Sequence, residues 1–130
     1  MWYEVLPRWK YRVTKAQSYY IPELSRFRCQ IRSRGGILLA ELDYGWLHLY
    51  PGYAWDGASG PAIDTETFML PSALHDALYQ MIREELLTPR RKMRRIADAV
   101  IRRASKLTGM SWIRRWVDWS GLRLFGWKAV

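Results

Sequence analysis

Short apolar and polar segments alternate between residues 10 and 50, and such alternation is typical of β-strands that are buried on one face. The pattern predicts strands at residues 11–13, 27–31, 37–42 and 46–50. Gly35-Gly36 and Asp43-Tyr44-Gly45 are turn signals between these segments. We therefore expect a small antiparallel sheet in this part of the chain.

After residue 50 the pattern changes to a Gly- and Pro-rich loop and then, from about Pro71, to helical periodicity. One helical face carries apolar residues at Leu74, Leu78, Met81 and Ile82. Thr88-Pro89 then indicates a second helix, with Thr88 as N-cap and Pro89 at the first helical position.

The second helix has a continuous apolar stripe and a predicted stop at Thr108-Gly109. The stripe consists of Met93, Ile96, Ala97, Val100, Ile101, Ala104 and Leu107. A third, amphipathic helix is expected to begin near Ser111. Its predicted apolar face carries Trp112, Ile113, Trp116, Val117 and Ser120, and its opposite face carries Arg114, Arg115 and Asp118.

These segments predict one α+β domain spanning residues 1–130. Its β part covers residues 10–50, its loop residues 51–70 and its helical part residues 71–126. A chain of 130 residues, 49% hydrophobic and 25% charged, has the size and composition of a single globular domain. The single cysteine, Cys29, excludes an intramolecular disulfide and is expected to be a buried strand residue.

Positive charge is concentrated at the C-terminal end. From Arg90 onward there are nine arginines and three lysines against two aspartates, a net charge of +10, so the first 89 residues carry −1 of the total +9. Such a basic region attracts phosphate-bearing surfaces, either anionic lipid or nucleic acid. The N-terminus has charges at Glu4, Arg8 and Lys10, and neither a signal peptide nor a membrane-spanning segment is expected.

Asp56 lies in the glycine-rich segment 52–61, where backbone carbonyls can turn toward a cation. Calcium takes six to eight oxygen ligands, and loops supply carbonyls that helices and strands keep occupied. An isolated Asp-Gly pair is also typical of an ordinary surface turn. The two interpretations differ in whether other metal-binding side chains lie nearby.

His75 and Asp76 are adjacent on the first predicted helix, where neighbours diverge by about 100°. They can therefore serve two adjacent atoms, a proton-accepting imidazole beside a metal-binding carboxylate. This division suits metal-assisted hydrolysis.

A histidine base needs a partner on its far nitrogen, and Asp98 on the second helix is the candidate. Counted from the connection between the helices, the two residues differ by about one helical turn in height. The alternative is local pairing of Asp98 with the arginines around it on the second helix. The other histidine, His48, belongs to an alternating strand and is interpreted as structural.

The segment from Asp56 to Gln80 resembles the core of the bacterial secreted phospholipase A2 family. The matching positions are Asp56-Gly57-Ala58-Ser59, Pro61, Asp64, Phe68, Pro71, His75-Asp76 and Tyr79-Gln80. The resemblance implies a phospholipase A2-like helix hairpin. It implies calcium bound by Asp56, the Gly57 carbonyl and Asp76, a catalytic dyad of His75 and Asp98, and supporting roles for Ser59 and Tyr79.

The same block resembles even more closely a family of small proteins encoded by tailed bacteriophages and prophages, and that likeness spans nearly the whole chain. It includes Arg83-Glu84, Ala97-Asp98, Gly109-Met110 and Phe125-Gly126. The resemblance implies a phage origin, with the host cytoplasm or the virion as location. Secreted phospholipases of this type are usually disulfide-braced and exported, whereas this sequence has a single cysteine and is expected to lack a signal peptide.

Three functions remain open. The first is a calcium-dependent phospholipid ester hydrolase, docked on anionic membrane by Arg114, Arg115 and Arg123 with Trp112 and Trp116. The second is a non-catalytic phage structural or assembly protein, with other phage structural proteins as partners. In it, Asp56, His75 and Asp76 form a hydrogen-bonded brace that links the loop to the helix. The third is a nucleic-acid-binding protein that uses the basic C-terminal region.

Overall fold

The structure, a computed structural model, describes residues 3–6, 10–55 and 66–107. The chain divides into two compact units, Met1–Trp55 and Asp56–Val130. The described part of the first unit contains strands, and the described part of the second contains helices. The predicted α+β class is confirmed.

Seven strands form two antiparallel sheets within the described residues. They are β1 (Tyr3–Leu6), β2 (Lys10–Val13), β3 (Gln17–Tyr20), β4 (Arg28–Arg32), β5 (Leu38–Asp43), β6 (Trp46–Leu49) and β7 (Ala54–Trp55). One sheet has the order β1-β2-β7 and the other the order β3-β6-β5-β4. The single sheet expected from the sequence is therefore wrong in number, although its antiparallel pairing is right.

The four-stranded sheet buries one face. Ala40 pairs with Leu49 and Leu42 with Leu47 across β5 and β6, and all four side chains are buried. Since side chains alternate along a strand, the residues between them lie on the opposite face. A two-residue turn at Tyr44-Gly45 joins these strands, and both residues have positive φ, as type I′ hairpin turns require.

In the three-stranded sheet, the short β7 pairs Trp55 with Tyr11. Both rings are buried, and their centroids lie 5.5 Å apart. The backbone of Val13 adds two hydrogen bonds, to Tyr53 and from Gly52, at 2.8 and 2.9 Å. The chain is thus held in register up to the residue before Asp56.

The second unit contains α1 (Glu66–Arg83) and α2 (Arg90–Leu107). Helix α1 begins at least five residues before Pro71, where the sequence predicted its start. Helical geometry is disfavoured for the residue that precedes a proline, and Pro71 was therefore interpreted as the first residue of the helix. Inside a helix, a proline removes one backbone hydrogen bond and its ring crowds the carbonyl four residues earlier, but the buried Pro71 is nevertheless accommodated within α1.

Helix α2 begins at Arg90, and the N–H of Met93 donates to the Pro89 carbonyl at 3.0 Å. Pro89 is therefore the N-cap, a position the sequence assigned to Thr88. The apolar faces of both helices are buried as predicted at Leu74, Leu78, Met81 and Ile82, and at Met93, Ala97, Val100, Ile101 and Ala104. The predicted third helix lies outside the described residues.

Candidate functional site

The hairpin of α1 and α2 places His75 and Asp98 at the same height. His75 lies eight residues before Arg83, the last residue of α1, and Asp98 lies eight residues after Arg90, the first of α2. At 1.5 Å per residue, both are about 12 Å from the connection. The one-turn offset expected from the sequence is absent, because α1 ends at Arg83 rather than near Leu87.

The imidazole of His75 is hydrogen-bonded to the carboxylate of Asp98, with Nε2 and Oδ1 2.8 Å apart. The predicted contact between these residues is confirmed. An ionised carboxylate can only accept hydrogen bonds, so the proton of this bond belongs to His75 Nε2. In neutral His75 the other nitrogen, Nδ1, then carries a lone pair, which is the state that a general base requires.

Tyr79 provides a second hydrogen bond to the same carboxylate oxygen. Its hydroxyl donates to Asp98 Oδ1 at 2.8 Å, and its ring lies 4.1 Å from the His75 ring, centroid to centroid. Burial, followed by the negative charge of Asp98, raises the pKa of the Tyr79 phenol well above its ordinary value. The phenol therefore stays protonated at neutral pH and fixes Asp98 as an acceptor.

The three side chains are withdrawn from solvent. His75 is 3% exposed and Asp98 is 1% exposed, and Tyr79 is also buried. Among the arginines near Asp98 on α2, the Arg94 side chain interacts with Tyr79 and lowers its pKa in part. The bonds from α1 favour Asp98 as the partner of His75 over the interpretation in which it serves arginines alone.

Asp76 lies beside the free nitrogen of His75. Its Oδ1 is 4.0 Å from His75 Nδ1, too far for a direct hydrogen bond, and its side chain is 29% exposed. A gap of this size is where a water molecule can bridge two polar groups. The arrangement places a solvent-facing carboxylate next to a basic nitrogen, as the sequence suggested for adjacent residues on a helix.

The remaining predicted site residues lie outside the described residues: Asp56, Gly57, Ser59, Trp112, Arg114, Arg115, Trp116 and Arg123. Within residues 3–6, 10–55 and 66–107, no group of three or more His, Cys, Asp or Glu side chains is placed to hold a metal ion. Asp76 is the one predicted metal ligand in that part of the chain. Its hard, partly exposed oxygens fit calcium.

Sequence reasoning missed one hydrogen bond of the site and one buried polar residue on the same helix. It did not predict the hydrogen bond from Tyr79 to Asp98, although Tyr79 lies four residues after His75 and therefore on the same helical face. It also passed over Ser72, which is 2% exposed and lies one turn before His75. In the described structure the Ser72 hydroxyl has no hydrogen-bond partner. The spacing of Ser72, three residues before His75, is the signal that could have found it.

In the β unit, Cys29 is less buried than predicted, whereas His48 agrees with its predicted structural role. Cys29 lies in β4 as expected, but it is only half-buried. Its neighbour across the strands is Leu42, so it lies at the margin of the buried face. His48 lies in β6, and its Nδ1 is 2.7 Å from the Ser18 hydroxyl, in keeping with a structural contact.

Comparison with protein families finds no match, and neither the curated proteins nor the solved structures contain one. Neither described helix is long and apolar enough to cross a lipid bilayer.

Proposed function

We propose that this protein is a calcium-dependent phospholipid ester hydrolase of the phospholipase A2 type. The observation that supports this most directly is the orientation of His75. Its Nε2–H is donated to a buried carboxylate, and its Nδ1 adjoins the partly exposed Asp76. The resemblance of residues 56–80 to the calcium loop and catalytic helix of that family agrees with the same roles.

In the proposed reaction, His75 Nδ1 removes a proton from a water molecule in the gap beside Asp76. Asp98 holds the imidazole in the required tautomer and stabilises the positive charge that the ring gains. Tyr79 keeps Asp98 in place through its hydroxyl. His75 then returns the proton to the leaving alcohol, so the ester is cleaved by water with no net change in the enzyme.

Asp76, Asp56 and the Gly57 carbonyl are the residues that would hold calcium. Bound there, calcium would supply Lewis-acid stabilisation of negative charge on the ester oxygen. Asp76 contributes a carboxylate that is 29% exposed and therefore reachable from solvent.

The basic part of the chain would attract the protein to anionic phospholipid. On α2, the side chains of Arg91, Lys92, Arg95 and Arg102 are exposed. Each basic residue near an anionic membrane contributes about 1 kcal/mol to binding. The predicted third helix, with Trp112 and Trp116, would enter the interface. Other phage proteins or nucleic acid are alternative partners for the same charge.

A second candidate function is a non-catalytic brace in a phage structural or assembly protein. It is favoured by the near-complete burial of His75 and Asp98, since buried hydrogen-bonded polar groups commonly fix the packing of two helices. In this alternative the His75, Tyr79 and Asp98 network ties α1 to α2 and performs no proton transfer.

Fatty-acid release from phosphatidylglycerol vesicles by the full chain tests the proposal. We expect release with millimolar calcium and none with a chelator. His75→Asn and Asp76→Asn should each lower the rate at least about hundredfold. Glu84→Gln, which removes an exposed carboxylate just after α1, is the matched control and should keep the wild-type rate.

Calcium binding is measured separately by thermal unfolding. A ligand that binds only the folded state raises the melting temperature, so calcium should stabilise the wild type and Glu84→Gln but not Asp76→Asn. A folded wild type that neither releases fatty acid nor responds to calcium would support the brace instead. Release that survives His75→Asn would contradict the assigned base.

A further inference from the structure

The exposed face of the four-stranded sheet carries a row of aromatic rings. Tyr20 on β3 lies opposite Trp46 on β6, and their ring centroids are 5.2 Å apart. Along β6, the Trp46 and His48 rings are parallel within 6° at 6.5 Å, and Tyr50 follows His48 at 6.0 Å. We call the side chains of Tyr20, Trp46, His48 and Tyr50 the aromatic row.

Two of these four rings keep much of their surface in contact with solvent, and His48 and Tyr50 are half-buried. Trp46 is 48% exposed and Tyr20 is 42% exposed. Cross-strand aromatic pairs stabilise sheets, which accounts for the contact between the two rings. This contact does not explain why about half of the Trp46 side chain is exposed to water. An exposed aromatic surface of this kind is available to a ligand.

Hydrogen-bonding side chains flank the aromatic row and are held in place. Glu41 receives Gln30 Nε2 on Oε2 at 2.6 Å and the Tyr50 hydroxyl on Oε1 at 3.3 Å. A carboxylate has about four acceptor sites, so each oxygen retains capacity for a further donor. The Glu41 carboxylate is therefore an oriented acceptor beside the rings. Because its conformation is fixed before a ligand binds, binding loses little side-chain entropy at this residue.

The charges of this face cancel. Arg28 and Arg32 on β4 are balanced by Glu41 and Asp43 on β5, and Arg28 Nε lies 3.9 Å from Asp43 Oδ1. Nucleic acid needs a surplus of positive charge for its phosphates, and carboxylates among the rings oppose it. The centre of a protein interface is likewise depleted of charged residues. A neutral ligand with both an apolar surface and many hydroxyl donors fits better.

We infer that the aromatic row, together with Glu41 and Gln30, binds a β-1,4-linked chain of hexopyranose sugars. A pyranose ring has an apolar C–H surface that stacks on aromatic rings and a rim of hydroxyl groups that donate to carboxylates and amides. A β-1,4-linked chain is an extended ribbon. Three rings of the aromatic row, Trp46, His48 and Tyr50, lie at alternate positions of one extended segment and therefore on one side of it, and Tyr20 adds a ring from the neighbouring strand. This inference is independent of the proposed hydrolase.

Cellohexaose and chitohexaose are the probes, titrated into the ¹⁵N-labelled full chain while the Trp46 indole resonance is followed. That resonance is assigned by its absence in Trp46→Phe. We expect it to shift with either hexasaccharide and much less with maltohexaose, whose α-linked chain is coiled. Trp46→Ala should weaken binding at least about tenfold, and Trp46→Phe, which keeps a ring, by less.

Tyr20→Ala should also weaken binding, and it serves as the test variant if Trp46→Ala fails to fold. Ile37→Ala is the control, since Ile37 is 65% exposed but lies outside the aromatic row, and it should bind as the wild type does. Absence of any Trp46 shift with both β-linked probes at millimolar concentration would overturn the inference. Binding of single-stranded oligothymidine, or self-association, that Trp46→Ala abolishes would assign the face to nucleic acid or to a second copy of the chain.

Discussion

His75 Nε2 and Asp98 Oδ1 lie 2.8 Å apart, between two helices that each hold their residue eight positions from the hairpin connection. Because Tyr79 donates to the same oxygen, Asp98 satisfies two buried donors at once. Losing this carboxylate leaves both donors without their acceptor. The consequences for stability and for proton transfer can be separated by two substitutions at one position.

Asp98→Ala should lower the free energy of unfolding by about 2–6 kcal/mol, because it leaves two buried hydrogen-bond donors without an acceptor at about 1–3 kcal/mol each. Asp98→Asn keeps a carbonyl oxygen that can still accept hydrogen bonds but lacks the negative charge, so its loss should be smaller, about 1–2 kcal/mol. Asp98→Asn should nevertheless lower any ester hydrolysis strongly, because the wrong tautomer of His75 is favoured. Urea unfolding and vesicle hydrolysis measure the two effects, and an Asp98→Ala protein as stable as the wild type would contradict the network.

Tyr79→Phe should change the dependence of stability on alkaline pH. The folded state raises the pKa of Tyr79 above its ordinary value of 10.0, so the hydroxyl stabilises the protein fully below that value and progressively less as pH rises above it. We expect the wild type to exceed Tyr79→Phe by about 1–2 kcal/mol at neutral pH. The difference should shrink above about pH 10.

The control for this measurement is Tyr44→Phe. Tyr44 is 57% exposed in the turn after β5, so its substitution should change stability by no more than about 0.5 kcal/mol over the same pH range. Chemical denaturation at several pH values provides the data. A Tyr79→Phe difference that stays constant to strongly alkaline pH would show that the phenol does not titrate with unfolding.

The helical part was largely predictable from local periodicity. The stripes of α1 and α2 identify their buried faces, and the need of a histidine base for an orienting carboxylate pointed from His75 to Asp98 on α2. The offset between His75 and Asp98 was wrong because it depends on where α1 ends. The turn residues after Arg83, with Glu85 at positive φ, carry no glycine to mark that end.

The sheets were less predictable because strand pairing is non-local. Strand β7 has two residues inside a Gly- and Pro-rich segment, and only its pairing with Tyr11 makes it a strand. Strand β3, with the sequence Gln-Ser-Tyr-Tyr, shows no clean alternation of apolar and polar residues. Its exposed Tyr20 pairs opposite Trp46, so the aromatic row is assembled across strands and cannot be inferred from either segment alone.

Gly45→Ala should destabilise the β unit more than an ordinary glycine substitution. Gly45 has φ +93°, and an added Cβ would lie 2.8 Å from Tyr20 Cε1 and 3.0 Å from the Ile21 carbonyl oxygen. Left-handed geometry alone costs a side chain about 1–2 kcal/mol. The contact with backbone adds to it, and we expect a loss of at least about 3 kcal/mol.

Gly36→Ala is the matched control, because Gly36 has φ +85° but an added Cβ would meet nothing within 4 Å. It should therefore show only the conformational cost of about 1–2 kcal/mol. Both variants are compared by urea unfolding. Equal losses would mean that the approach of Gly45 to Ile21 is not close in solution.

The proposed membrane contact involves residues outside the described part of the chain. In the predicted third helix, Trp112 and Trp116 share one face, and Trp119 and Trp127 cannot share it at 100° per residue. At least one of these tryptophans should be exposed beside arginine. We expect the wild type to float with anionic vesicles and little with zwitterionic ones, and Arg114→Glu/Arg115→Glu to lower the anionic partition at least about tenfold.

The matched control reverses two exposed charges on α2, Arg91→Glu/Lys92→Glu, and thereby gives the same net charge as the test variant. A larger loss for Arg114→Glu/Arg115→Glu would locate the contact at the third helix, because overall attraction depends on net charge alone while docking depends on position. Equal losses would mean that the charge of the whole basic region attracts the protein without a specific anchor. Recovery of Arg114→Glu/Arg115→Glu equal to that of the wild type would leave the tryptophans to the core or to a protein partner.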